Sequence, residues 1–324
     1  MSSPAATEEP KRILYINVSR IGDTLLMTPA VKAVAVRWPQ AQIDLLAHPK
    51  RKEVLRFLPF IHSVGSITKN QAPFRGRLAA FGSKPYDLAF VCNFDRALLT
   101  YALRVARRVV AFRQPDEELN RRLYRTVEHP GAQNAHAVET QLLLPAAVGV
   151  ASAGKALSYR VTEDENLWAA SFLARHHAQN RHPLVGLQVA SFPTKAYRDW
   201  PLSHFIELCR RIRTVWPQAH FLIFGGDLER ERTGEIAKIL GAAATLCAGK
   251  LSLRETASLM NCVDLYVGVD TGPTHIMGAL HRPMVALYHC YSPSLRYKPL
   301  DHPCLYAVDP VSYTHLTLPT ILLV

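Results

Sequence analysis

The stretch GVDTGPTH (268–275) contains Asp270, Thr271 and Gly272, the tripeptide that carries the catalytic aspartate of an aspartic protease. Such a protease needs two of these carboxylates in a mostly β environment, one protonated while the other is charged. This chain has a single Asp-Thr-Gly, and a helical pattern follows it, which argues against protease chemistry. The alternative is a strand-to-helix turn that binds a ligand. The apolar run DLYVGV leads into Asp270, and a helix is predicted from Gly272–Thr274 onward. The first turn of a helix offers unpaired N–H groups and partial positive charge, which suit a phosphate or the oxygens of a sugar. Gly272 permits close approach of a ligand to the backbone, and Thr271 and Thr274 offer hydroxyl donors. Asp270 repels a phosphate, so it is suited to accept bonds from sugar hydroxyls or to fix the turn. A plain N-cap role for Asp270 or Thr271 stays open. His275 lies one turn into the helix and faces either the ligand or the core.

Three further stretches carry polar groups at the ends of predicted strands. In SRIGDT (19–24), Gly22 supplies a sharp turn and Asp23 projects as a candidate general base, with a capping role as the alternative. In SFPTKAYRDWP (191–201), Lys195 and Arg198 are two cations suited to a diphosphate, which an arginine can hold through two parallel bonds. A solvated loop is the plainer alternative there. In FGGDLERER (224–232), Gly225 and Gly226 could seat a nucleoside, with Glu229 on ribose hydroxyls, or Asp227 could cap the next helix. Ligands of open α/β sheets bind beyond the carboxyl ends of strands, which is where all four stretches are expected.

The elements that must position them alternate. RILYINV is a buried strand, and TPAVKAVAVRW is a helix with Thr28 as N-cap, Pro29 at the first position and Trp38-Pro39 as its end. Strands follow at AQIDLLA, HSVGSI, YDLAFVC and RVVAF, with helices over 98–106 and 135–147. The second half repeats the scheme: strands PLVGLQV, AHFLIFGG, DLYVGV and PMVALYH, and helices PLSHFIELCRRIRTVW, ERERTGEIAKIL, LRETASLMNC and GPTHIMGAL. RWPQAQIDLL (37–46) echoes VWPQAHFLIF (215–224): a helix ends at Trp-Pro, Gln-Ala turns, and a strand begins. Two α/β halves built alike, each with a parallel sheet covered by helices, are therefore predicted. The segment 151–180 is the least regular and contains the linker.

Composition narrows the function. The chain has 324 residues with 48% hydrophobic and 20% charged, which fits two globular domains. A formal net charge of +12 favours an anionic partner such as nucleic acid, a lipid surface, a nucleotide or a phosphorylated substrate. A solvated basic surface is the alternative. An aromatic-basic nucleic-acid motif is missing, so no nucleic-acid partner is expected. The six cysteines are scattered singly without C-x-x-C and read as reduced core thiols of a cytosolic protein. No G-x-G-x-x-G, no G-x-x-x-x-G-K-[ST] and no H-E-x-x-H occurs, so neither a dinucleotide fingerprint, a P-loop nor that metal site is indicated. MSSPAATEEP lacks an apolar core and reads as a disordered lead over 1–10. The tail VSYTHLTLPTILLV (311–324) has no charged residue, and VSYTHLTLPT resembles the translation of a transposon-end adapter. The native chain is expected to be cut near Pro310.

These stretches, in this order, resemble the ADP-heptose:lipopolysaccharide heptosyltransferases of glycosyltransferase family 9. The resemblance runs over 12–308 and is carried by SRIGDTLLMTPAVKAV, RDWPLSHFIELC, AGKLSLRETASLMNCVDLYVGVDTGPTHIMGAL and RPMVALYH. It implies a GT-B fold of two Rossmann-like domains facing across a cleft, acceptor-side over 11–160 and donor-binding over 161–310. It also implies a C-terminal helix that returns to the first domain, which a chain cut near Pro310 lacks. The activity implied is transfer of heptose from ADP-heptose to the lipopolysaccharide inner core, inverting, with no metal and no cofactor. The setting implied is the cytoplasmic face of the inner membrane, with an anionic lipopolysaccharide precursor as acceptor and a monomeric enzyme. Asp23 matches the family's proposed base, beside Ser19, Arg20 and Gly22 on the acceptor side. Asp270, Thr271, Gly272 and His275 match the donor-binding turn, with Ser191, Thr274 and the nucleoside-contacting acid Glu229 assigned beside them. Arg198 stands where the family has a lysine two residues before Trp-Pro, and Lys195 is displaced by three. A GT-B enzyme using another nucleotide sugar for a different envelope glycan is the alternative.

Overall fold

Ile13, Leu14, Tyr15 and Ile16 are consecutive and fully buried. A strand with both faces covered needs such an unbroken apolar run, because no side of it meets water. The computed structural model describes residues 9–79, 85–131 and 135–310. The run lies in β1 (Arg12–Asn17), followed by β2 (Gln42–Ala47), β3 (Ser63–Ser66), β4 (Tyr86–Val91), β5 (Ala106–Phe112) and β6 (Arg125–Val127). These form one parallel sheet in the order β3-β2-β1-β4-β5-β6. A second parallel sheet contains β7 (Leu184–Gln188), β8 (His220–Phe224), β9 (Ala244–Leu246), β10 (Leu265–Val269), β11 (Met284–Leu287) and β12 (Leu305–Val308). Its order is β12-β11-β10-β7-β8-β9. The two orders are the same doubly wound pattern, whose topological switch point lies between β1 and β4 in one sheet and between β7 and β10 in the other.

The Trp-Pro echo is structural. Trp38 follows the helix Thr28–Arg37 with φ −128° and ψ 75°, and Trp216 follows the helix Leu202–Val215 with φ −125° and ψ 87°. In both turns the tryptophan N–H bonds back to the helix, and its own carbonyl accepts the N–H of the alanine just before the next strand. The strands that follow, β2 and β8, hold the same place in their sheets.

Several local expectations change. Thr28 is not an N-cap: a short helix, Ile21–Leu26, precedes it, and Met27 between the two helices is itself in the α region. The Thr28 hydroxyl instead donates back to the Leu25 carbonyl (2.7 Å). Gly22 makes no sharp turn and sits inside that short helix. The irregular segment contains a helix, Glu163–Arg175, started by a reciprocal capping box between Thr162 and Glu165. Strands β6, β9 and β12 and the helix Ala72–Ala79 were not predicted.

The chain divides into two compact units between Lys155 and Ala156, against an expected boundary at 160/161. The connecting residues are tied to the second unit. Arg254 donates to the Arg160 carbonyl (2.7 Å) and lies over the Tyr159 ring, and the His281 ring contacts the Leu157 carbonyl (3.1 Å). Of the expected lead, Glu9 and Pro10 are described: Glu9 pairs with Arg37 (2.8 Å) and Pro10 is buried. The expected tail over 311–324 lies outside the described residues. Among the described residues no helix is long and apolar enough to cross a membrane.

Candidate active site

All strands of a parallel sheet point one way, so the loops after β7, β8, β10 and β11 emerge on one edge of the second unit. That edge gathers the stretches 191–201, 224–232 and 268–275. The loop after β7 is braced twice. The Ser191 N–H donates to the Asp199 carboxylate (2.9 Å), and the Ser191 hydroxyl donates to the Lys195 carbonyl (3.0 Å). Asp199, whose side chain is 1% exposed, also pairs with Arg232 at 2.5 Å. Ser191 is therefore buried and spent on its own loop, whereas Lys195 is half-buried within it.

Arg198 reaches from the loop after β7 to the loop after β11. Its Nη1 donates to the Ser292 hydroxyl (2.9 Å) and its Nε to the Tyr197 hydroxyl (3.2 Å), with the guanidinium 5.5 Å from the Tyr197 ring centre. In sheet order β11, β10 and β7 are consecutive, so this contact passes the carboxyl end of β10, where Asp270 sits. Two of the five N–H donors of the guanidinium are used, and the others are available to an anion. His289, buried beside it, stays neutral more readily than a free histidine because burial and the Arg198 charge both lower its pKa.

Asp270 and His275 are brought together, with Nε2 3.3 Å from Oδ1 and side chains 8% (His275) and 15% (Asp270) exposed. His275 thus faces the aspartate. Thr271 is the N-cap residue of the helix Gly272–Leu280 by position, but its side chain makes no cap bond and donates to the Val269 carbonyl (3.3 Å). The helix start thus has no side-chain cap from Thr271, and its first amides keep their capacity to donate. Thr274 leaves the set of ligand donors: it is buried, and its hydroxyl donates to the Val269 carbonyl at 2.5 Å. The Tyr266 hydroxyl lies 2.9 Å away and supplies its proton to Thr274. Burial, together with the nearby Asp270 charge, pushes Tyr266 upward, so this proton stays in place. The chain Tyr266–Thr274–Val269 pins the helix to its strand.

Glu229 is buried and accepts the Gly226 N–H (2.7 Å). Burial raises its carboxyl above the usual 4.5, with the Gly226 bond opposing the rise. Asp227 caps nothing through its side chain. A hollow lined by His182, Pro183, Trp216 and Asp264 opens at the amino ends of β7 and β10, the edge opposite these loops.

In the first unit, the residues after β1 and β4 flank the switch point. Asn93, after β4, accepts the Val18 N–H (2.8 Å) and donates to the Ser19 hydroxyl (3.1 Å), and Arg51 donates to the Ser19 carbonyl (2.9 Å). Arg20 precedes the helix Ile21–Leu26, and its carbonyl accepts the Thr24 hydroxyl (2.8 Å). Buried Asn17 donates to the Asp23 carbonyl (3.3 Å), which seats the short helix on β1. Asp23 is exposed in the first turn, and no described residue pairs with its carboxylate. Such a carboxylate is competent to accept a proton from a hydroxyl placed within hydrogen-bond reach. Sequence reasoning missed Asn93, Arg51, Asp199, Arg232 and Ser292. Asn93 and Ser292 follow strand ends and were open to the same carboxyl-end rule; the others show only in three dimensions. Among the described residues no three His, Cys, Asp or Glu side chains form a metal-binding group.

Two doubly wound six-stranded units on one chain, with polar loops on the carboxyl edge of each sheet, define the GT-B class of glycosyltransferase folds. The solved structure of a family 9 glycosyl transferase from Veillonella parvula superposes with a TM-score of 0.80 at 19% identity, covering 92% of this chain and 86% of that one. The Escherichia coli ADP-heptose lps heptosyltransferase II superposes with a TM-score of 0.77 at 22% identity, covering 91% and 89%. Lipopolysaccharide heptosyltransferase 2 of Salmonella typhimurium is 26% identical, covering 90% of this chain and 86% of its own. The model of glycosyltransferase family 9 (heptosyltransferase) matches residues 80–304, and the chain belongs to that family.

Proposed function

We propose that this protein moves heptose from ADP-heptose to the inner core of a lipopolysaccharide precursor, with inversion and without a metal ion, at the cytoplasmic face of the inner membrane. The second unit holds the donor. Arg198 and Lys195 face the diphosphate, the start of the helix Gly272–Leu280 adds its amides, Asp270 orients a sugar hydroxyl, and Glu229 meets the ribose. The first unit supplies Asp23 as general base. The acceptor hydroxyl gives its proton to Asp23 as its oxygen bonds to the anomeric carbon. The bond from that carbon to the diphosphate breaks, and ADP leaves with the electron pair.

The observation that carries this reading is Arg198, clamped by Ser292 and Tyr197 beside an uncapped helix start at the carboxyl end of β10. Preorganised charge of this kind acts where the leaving group develops its own. A helix terminus contributes about 0.3–1 kcal/mol, and a hydrogen bond to a charged group about 1.5–3 kcal/mol, so the cation outweighs the dipole. The net charge of +12 suits a phosphorylated acceptor on an anionic surface. The relatives named for heptose transfer support the sugar. The test is a mass-spectrometric screen of nucleotide sugars against lipopolysaccharides truncated at successive core sugars. Transfer from ADP-heptose is expected; preferred transfer from another nucleotide sugar would overturn the donor assignment.

A further inference from the structure

The helix Ala72–Ala79 has two unlike faces. Ala72 is fully buried, and Gly76 packs so closely on the helix Arg96–Val105 that a Cβ there would lie 3.2 Å from the Arg104 side chain. On the opposite face Phe74 is 67% exposed and Leu78 is 61% exposed. At about 100° per residue these two stand roughly 40° apart and side by side. Arg77 falls about 60° beyond Phe74, and Arg75 about 60° beyond Leu78 on the other side. The apolar pair is thus bracketed by cations. Arg75 is anchored through the Ser66 carbonyl (2.6 Å) and lies over the Tyr101 ring, whereas no described residue forms an ion pair with Arg77. Residues 67–79 include Lys69, Arg75 and Arg77 and no Asp or Glu. Beyond the helix, Asp95 is paired with Lys69 (2.9 Å).

A single exposed apolar residue is ordinary. Two large ones side by side, flanked by arginines, offer an apolar contact for acyl chains and cations for lipid phosphates. We propose that Ala72–Ala79 is a membrane-contact helix that places Phe74 and Leu78 into the headgroup boundary of an anionic bilayer, with Arg75 and Arg77 on lipid phosphates. This deepens the proposed function and rests on its lipid-borne acceptor. The charge sign selects the occupant, because a protein partner or a second copy of this basic chain would have to bring acids to this face.

The test is co-sedimentation of the full chain with vesicles of phosphatidylcholine alone and of phosphatidylcholine with phosphatidylglycerol. Binding is expected to the anionic vesicles and to fall with salt. Phe74→Ser combined with Leu78→Ser should weaken it at least about tenfold, and Arg77→Glu roughly fivefold or more. All these positions are exposed, so melting temperature and ADP binding should not change in either variant. Wild-type partition that ignores phosphatidylglycerol, or variants that partition like the wild type, would overturn the proposal. So would a loss of self-association in the double variant with vesicle binding intact, which would make the face an interface between copies. The vesicles contain neither donor nor acceptor, so failure here is distinct from failure to transfer heptose.

Discussion

Replacing Arg198 by alanine removes a cation that spans the loops after β7 and β11. The magnitude follows from its contacts. A charge-assisted bond to a phosphate is worth about 1.5–3 kcal/mol, and the half-exposed loop discounts this toward the lower end. A loss of about 1.5–2 kcal/mol corresponds to a roughly 10- to 30-fold rise in the ADP dissociation constant. Arg198→Lys retains the charge but loses the fork that reaches Ser292 and Tyr197, and should cost about 1 kcal/mol. Ser292→Ala leaves Nη1 to water and should cost about 0.5–1 kcal/mol. Calorimetric titration of ADP into the wild type and each variant measures all three. The double variant is decisive: if Ser292 acts by holding Arg198, its removal costs almost nothing once Arg198 is alanine. Additive losses, or an Arg198→Ala protein that binds ADP within twofold of the wild type, would refute the clamp.

Further consequences concern the parts that hold this site. Burial raises the Glu229 pKa, so the folded chain favours the protonated acid; its contribution is fully present below about 4.5 and is lost as pH rises through the raised value. Glu229→Gln retains an acceptor for the Gly226 N–H without the charge, so its melting temperature should exceed the wild type's near neutral pH and match it in acid. A side chain at Gly278 would run into Pro299; Gly278→Ala should cost about 1–3 kcal/mol in a melting experiment and weaken ADP binding by displacing the helix Gly272–Leu280. Thr274→Val, which removes the hydroxyl between Tyr266 and Val269, should lower stability by about 1–3 kcal/mol through an unpaired buried group, read as a fall in melting temperature.

Much of the fold was open to sequence reasoning because buried parallel strands are written as continuous apolar runs. RILYIN, LVGLQ and LYVGV each sit within a strand of the structure. The Trp-Pro echo disclosed the internal duplication, since proline fixes the same helix end twice. Strands β6, β9 and β12 have only three or four residues each, too few for a period to emerge. The helix Glu163–Arg175 was overlooked although Thr162 and Glu165 carry a capping-box spacing. Gly22 misled because a glycine near a strand end suggests a turn; here the chain enters a helix at Ile21 instead. That Asp270, Gly272 and Arg198 follow the ends of β10 and β7 was legible from the sequence pattern. Ser292 was not, because it meets Arg198 across 94 residues of chain. Thr274 looked like a ligand donor until Val269 and Tyr266 were seen to use its hydroxyl.

In the proposed reaction Asp23 takes the acceptor's proton while the second unit binds the donor independently. The most direct measurement is heptose transfer by Asp23→Asn beside its ADP affinity. Removal of a general base typically costs about 10²–10⁴ in rate. We expect turnover to fall by that order with ADP binding within twofold of the wild type, since the exposed Asp23 carboxylate lies in the first unit and no described residue pairs with it. Wild-type turnover in Asp23→Asn would contradict the account.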